Sequence, residues 1–310
     1  LGTVDLDALE ARLAEHTRAA SRAAQLRRAA EEAAAEQTAA RLAADEAVRR
    51  CVPLRIVYAS AWQRYESHKP SFGVHRGPAH VFADHIIGQT VERARRRAPA
   101  VKVTSDVVAE DPATLLIRES GRGTTVVVGS RGKGELTSLL LGSVSLSVAA
   151  HAPSPVIVVR GGEKNRDSGF REVVVGVGEA GESGPAVAFA LRTAEARGVV
   201  LRAVHSWRCP AHAVPEEPRA GEPTDFHQIR AEGQLGEALR GIEGGDATVS
   251  VRKDVVEGHA RTALLAASAS ADLLVVGARR RKGHLGMQLG PVNHAVLHRA
   301  ACPVAVVPHT

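Results

Sequence analysis

The sequence predicts an α/β protein made of two doubly wound, open parallel five-stranded sheets, and three observations carry that expectation. The chain repeats itself. Displaced by 148 positions, Ser105–Arg160 aligns with Lys253–Pro308 without a gap, with 19 identities over 56 positions. Upstream, at a displacement of 147, Leu54-Arg55 meets Leu201-Arg202 and Val57 meets Val204. Short Val-rich runs recur without polar alternation, which marks strands buried on both faces, as in a parallel sheet covered by helices. These runs alternate with helical stretches, and right-handed crossovers then give a doubly wound layer.

In the second copy the run EVVVGV predicts a strand over Glu172–Val177, bounded by glycines. Helix follows over Pro185–Arg197, strand over Val199–His205, helix over Glu232–Ile242 and strand over Thr248–Val256. The copy closes with helix Arg261–Ser270, strand Asp272–Gly277, helix Val292–Ala300 and strand Pro303–Val307. The first copy supplies strands over Leu54–Ala59, Val101–Val108, Thr125–Gly129 and Val156–Arg160. Asp111-Pro112 opens a helix there with a capping carboxylate and a proline at its first position.

The start of the first copy departs from this pattern. The positions equivalent to EVVVGV read QLRRAA, over Gln25–Ala30, and write no strand. Leu9–Arg50 is instead rich in Ala, Glu and Arg and nearly free of Gly and Pro, a strong helix former with no sustained heptad. The strand is either absent or replaced by Thr3–Leu6 (TVDL), which offers Asp5 or Asp7; for that replacement the intervening helix would have to fold back. Three segments follow: 1–40, an Ala-rich helical stretch; 41–161, the first α/β domain; and 170–309, the second. A polar, glycine-bearing joint, GGEKNRDSG, connects the two domains.

Composition narrows the function. Of 310 residues, 44% are hydrophobic and 24% charged, which excludes collagen, a disulfide scaffold and wholesale disorder. No apolar run approaches the ~18 residues of a membrane span. Aromatics at 3% argue against base stacking on rows of rings. The net charge of +6 permits attraction to phosphate without demonstrating it. Arg93–Arg97 and Arg279–Lys282 are basic, yet no nucleic-acid recognition module accompanies them. Cys51, Cys209 and Cys302 lie far apart with no CxxC, which fits buried thiols in a reducing cytoplasm. No secretory leader pattern opens the sequence.

One motif points to a ligand. Val126-Val127-Val128 runs into Gly129-Ser130-Arg131-Gly132, and nine residues later come Gly142-Ser143, a G-x2-G-x9-G-S spacing between a strand and a helix. Glycines let backbone approach an anion closely, successive amides form a nest, and a helix N-terminus adds unpaired N–H groups. Ser143 is expected to cap a helix beginning near Val144, with Arg131 and Lys133 at the rim. An ordinary glycine-bearing connection has the same residues.

The segments VVVGSRGKGELTSLLLGSVS and HAPSPVIVV, with VVVGVG and VVGARRRKGHLG…LG…CPVAVV in the second copy, carry a family resemblance. From about Arg41 to Pro308 the chain resembles a tandem universal stress protein (UspA-like) of the kind found in high-GC bacteria. That resemblance implies five-stranded parallel sheets of flavodoxin-like or Rossmann-like type, related to the adenine nucleotide alpha hydrolases, dimeric assembly and, in one branch, ATP. It places Gly129, Ser130, Arg131, Gly132, Gly142 and Ser143 around the phosphates and ribose. No metal is implied. The apolar closing strands point to a homodimer, or to the same pairing made within one chain by a pseudo-twofold.

Departures from the family pattern leave a second reading open. ATP-binding members carry Asp after the first strand, where the second copy has Gly178. Its loop also has Arg280 in place of the second glycine and Pro291 in place of the Ser/Thr. The alternative is a tandem stress protein that binds no nucleotide and acts as a protein-interaction module. No side chain near Ser143 supplies it with a base, and His294 and His298, four apart on one helix face, lack a third metal ligand. The reading is regulatory, not enzymatic.

Overall fold

The computed structural model describes residues 38–59, 78–121, 124–130, 141–178, 183–208, 223–240, 249–279 and 289–309. The Thr3–Leu6 and Gln25–Ala30 stretches, most of the predicted Leu9–Arg50 helix, Arg131, Gly132, Cys209 and Arg280–Lys282 lie outside the described residues. In chain order the elements are helix α1 (38–49), β1 (Leu54–Ala59), α2 (Pro78–Arg97), β2 (Val103–Val108), α3 (Pro112–Glu119), β3 (Val126–Gly129), α4 (Ser143–His151) and β4 (Val156–Val159). They continue with α5 (Glu163–Arg166), β5 (Glu172–Val177), α6 (Gly184–Arg197), β6 (Val200–Trp207), α7 (Pro223–Leu239), β7 (Val251–Glu257), α8 (Ala260–Ser268), β8 (Leu273–Arg279), α9 (Pro291–Arg299) and β9 (Val304–His309).

The Val-rich runs are strands because both of their faces are covered. Val173, Val174 and Val175 are fully buried, and each is worth roughly 1.5–3 kcal/mol of burial. In the second copy five parallel strands run in the order β9-β8-β5-β6-β7. Val173, Val175, Ile157 and Ala305 pack with Leu42 of α1, Phe189 of α6 and Leu235 of α7 on one face. Val174, Val158 and Val306 pack with Val148 of α4, Leu264 of α8 and Leu297 of α9 on the other.

The strands are partitioned into sheets differently from the expectation of two five-stranded layers. β3 and β4 join the second copy, giving one seven-stranded sheet of order β3-β4-β9-β8-β5-β6-β7, while β1 and β2 form a separate two-stranded sheet. The join is the antiparallel pairing of β4 with β9, Val156 facing Val306, Ile157 facing Ala305 and Val158 facing Val304. Ile157 and Ala305 are equivalent residues of the two copies, so a pseudo-twofold axis passes between them. The closing edges that the resemblance reserves for a dimer are thus spent within the chain. Sedimentation should accordingly give a monomer over about a hundredfold range of concentration; a reversible dimer would mean that another edge associates.

The joint is tightly held, where its composition suggests a loose linker. Gly161 has φ +84, and a Cβ there would collide with the Ala301 carbonyl, so only glycine fits. Asn165 is buried and its Nδ2 donates to the carbonyls of Ser268 and Ala271 at 3.2 and 2.8 Å. Asp272 accepts from the Phe170 and Glu172 amides at 2.9 and 3.2 Å, pinning the entry to β5. Arg41 of α1 pairs with Asp167. The N-cap of α3 is as expected, with Asp111 accepting from the Thr114 amide at 2.9 Å. The expectation of buried thiols holds for Cys302, whose pKa burial pushes up to about 12, and fails for Cys51, which is exposed in the turn after α1 with φ +53. Among the described residues no helix is long and apolar enough to cross a membrane, and no cluster of three His, Cys, Asp or Glu could hold a metal ion.

Candidate functional site

Four of the six residues expected at the loop are described, and the fold gathers them at the carboxyl end of β3. Gly129 is the last residue of β3 and Ser130 follows it. Gly142 and Ser143 stand at the start of α4. The two ends of the excursion meet: the Gly142 amide donates to the Ser130 carbonyl at 2.9 Å, and Ser130 in turn donates to the Val159 carbonyl at 2.9 Å. The helix start corrects one expectation. Gly142, at φ −62 and ψ 145, is the N-cap, and Ser143 is the first helical residue, making no capping bond. An extended cap places the hydroxyl one position further on and leaves it uncommitted.

A residue not singled out from the sequence does the fastening. Ser145 Oγ donates to the Gly129 carbonyl at 2.6 Å, and in the second copy Asn293 Nδ2 donates to the Gly277 carbonyl at 2.8 Å. Ser145 and Asn293 are equivalent positions. The signal that reveals them is a polar residue three places after the second-loop glycine in both copies. Each tie holds the strand end against the helix N-terminus. The first intrahelical bond of α4 runs from the Leu146 amide to the Gly142 carbonyl at 2.9 Å, so the amides of Ser143, Val144 and Ser145 precede it. Together with the positive end of the helix dipole they form an anion-accepting corner.

The two copies differ at this corner. In the second, Gly290 is the N-cap and Pro291 the first residue of α9, which removes one amide and one hydroxyl. A cavity of about 200 Å³ lies there, lined by Gly178, Ser183, Ser206, Gly277, Asn293 and His309. Ser183 Oγ accepts from the Gly178 amide at 2.8 Å, closing the turn after β5. His205, near the end of β6, is buried with Nδ1 2.9 Å from the Val177 carbonyl. His294 and His298 share a helix face as expected and stack at 4.5 Å.

In the first copy a larger cavity of about 340 Å³ reaches the corner at Gly129 and runs between β1 and β3, under α1 and α2. Among the described residues no strand lies between β1 and β3. Arg55 at its edge pairs with Asp106 at 2.8 Å and with Glu119, whose carboxyl it holds below the usual range. Three arginines of the basic stretch Arg93–Arg97 make contacts within the chain: Arg96 with Glu92 at 2.7 Å, Arg97 with Asp45 at 2.8 Å and Arg95 with the Val103 carbonyl at 3.4 Å.

The sequence pattern of the universal stress protein family matches residues 29–160 and again 169–308. A universal stress protein of Mycobacterium tuberculosis is 33% identical over 274 residues, covering 85% of this chain and 90% of that protein. A second from the same organism is 33% identical over 280 residues, covering 86% and 90%. Among solved structures, a universal stress protein from Archaeoglobus fulgidus superimposes with a TM-score of 0.60 at 19% identity, over 88% of this chain and 94% of that one. One from Pseudomonas aeruginosa gives 0.54 at 14% identity, over 86% and 95%. At such identities these structures speak to the fold alone. The profile matches and the mycobacterial relatives together establish that this chain belongs to the universal stress protein family and carries two family units in tandem.

Proposed function

We propose that this protein is a regulatory stress-response protein of the cytoplasm that binds adenine nucleotide, ATP, through the loop of its first copy and does not turn it over as an enzyme. The observation that carries the reading is the paired fastening of that loop. Ser145 on Gly129 and Gly142 on Ser130 bring the carboxyl end of β3 to the N-terminus of α4. Three leading amides and the Ser143 hydroxyl then converge where an anion gains most. The second copy, with Pro291 at the equivalent of Ser143, contributes little to binding.

The test is calorimetric titration of the full chain with ATP beside Gly142→Val. The backbone at Gly142 is one any residue adopts, so the substitution brings no backbone strain, and it sets a branched side chain at the N-cap of α4. The dissociation constant should rise at least about tenfold, roughly 1.4 kcal/mol, with Tm within about 2 °C of the parent. An unchanged dissociation constant overturns the loop assignment. A second reading, an interaction module without nucleotide, is favoured by one observation: the separation of β1 from β3 takes away a wall of the first-copy cleft. It requires that ATP at millimolar concentration produce no heat with either protein.

A further inference from the structure

The cavity of about 340 Å³ is lined from both β1 and β3, and the second copy shows which residues a strand between them would meet. There β5 lies between β6 and β8, with Val173 opposite Leu201 and Leu273, Val174 opposite Arg202 and Leu274, and Val175 opposite Ala203 and Val275. The repeat carries those six partners onto Leu54, Arg55, Ile56, Thr125, Val126 and Val127. All six line the 340 Å³ cavity. Among the described residues β1 pairs only with β2 and β3 only with β4, so each has one unpaired backbone edge. An apolar space of that size, left open, takes a sizeable share of a domain's net stability.

We propose that this slot is a docking site for the chain's own segment Thr3–Asp7, which enters as a parallel strand and completes the first sheet. Three features select this occupant. Its position in the chain is right: it lies before α1, whose residues Ala39, Ala40 and Ala43 wall the cavity. The Ala-rich stretch between Asp7 and Thr38 has to fold back for the segment to reach the slot, and thirty residues are enough for a helix that turns once. A strand leading through α1 into β1 is the ordinary right-handed crossover.

The alternation of the segment also fits. With Val4 opposite Leu54, Asp5 opposite Arg55 and Leu6 opposite Ile56, Val4 and Leu6 take the positions of Val173 and Val175. Those two face α6 and α7 in the second copy, and the corresponding cover here is α1 and α2. The charge is complementary in the same register. Asp5 takes the position of Val174 and so falls directly opposite Arg55, the equivalent of Arg202, which in the second copy lies 3.7 Å from the carboxylate of Glu172, two residues before that position. In that copy Arg202 also holds Asp254, the equivalent of Asp106. The segment at the position equivalent to β5, Gln25–Ala30, would instead bury Arg27 and Arg28 among apolar residues with no carboxylate opposite.

Hydrogen exchange of the full chain, in the absence of nucleotide, decides the matter independently of ATP binding. The amides of Val4, Asp5 and Leu6 should exchange at least about a hundredfold more slowly than in a free peptide of residues 1–10. Leu6→Asp should abolish that protection while leaving the amides of β5 protected. Asp5→Lys, which sets a like charge against Arg55, should reduce it. Exchange of residues 1–10 at the free-peptide rate overturns the proposal. So does protection that disappears on dilution together with a dimer, because the strand would then come from a second copy. Protection that appears only when a foreign extended peptide is added overturns it as well.

Discussion

Replacing Ile157 by alanine should lower the unfolding free energy by about 3–4 kcal/mol, and replacing it by aspartate by more than about 5 kcal/mol. Ile157 has no exposed surface and sits at the pseudo-twofold, opposite Ala305, where the two copies become one sheet. Its side chain belongs to the core face that also holds Val173, Phe189 and Leu235. Deleting three carbons there leaves a cavity that a central strand cannot close, because its backbone is fixed by neighbours on both sides. Aspartate adds an unpaired charge. Denaturant unfolding of both variants measures the effect; a loss below about 1 kcal/mol for alanine would mean that the seam between the copies is loose.

Glu46→Leu should be nearly as damaging, at about 3–5 kcal/mol, which for a chain of this size is a fall in Tm of roughly 5–8 °C. Glu46 of α1 and Arg197 of α6 are both buried, with side-chain exposures of 7% and 3%, and meet at 2.9 Å. Arg49 and Arg50 each approach the same carboxylate at 3.1 Å, and Arg50 also lies 4.8 Å above the Phe189 ring. Burial opposes ionisation of Glu46, but Arg197, Arg50 and Arg49 together outweigh it and hold the carboxyl below the usual range. Removing the carboxylate leaves Arg197 buried without its counter-charge. The double variant Glu46→Leu with Arg197→Met should recover much of the loss, since an apolar pair replaces an ionic one.

The pH dependence follows from the direction of that shift. A carboxyl whose pKa is depressed by folding contributes stability above its unfolded value, about 4.3, and loses it as pH falls through the folded value. The parent chain should therefore lose stability more steeply below about pH 4 than Glu46→Gln, and the two curves should converge in acid. Parallel curves would show that the cluster does not hold the carboxylate ionised.

The second copy was the most legible part of the sequence. The limits of β5 and of β1 in the first copy fall where the apolar runs place them, although β5 opens on Glu172 and the half-buried β1 carries Arg55. Helix α2 was not predicted. Its buried residues Ala83, Ile87, Val91 and Ala94 follow helical spacing, but two of the four are alanines, too small to stand out against the polar residues around them. The joint reads as a linker from its polar composition, while Asn165 and Gly161 serve geometry, a role composition does not record. At the loop, glycine spacing located the corner. The fastening by Ser145 and Asn293 needed the fold, because a single serine or asparagine in a helix has many uses. The joining of β3 and β4 to the second copy rests on the equivalence of two four-residue runs, VIVV and VAVV, which a sequence offers equally to an intramolecular or an intermolecular partner.

The account turns on whether the first-copy corner holds a nucleotide, and the most direct measurement is mass spectrometry of what the purified full chain releases on denaturation, followed by titration with ATP. The account predicts adenine nucleotide approaching one equivalent per chain, restored by titration after removal and lost in Gly142→Val. No nucleotide released, and no heat with millimolar ATP, would contradict it.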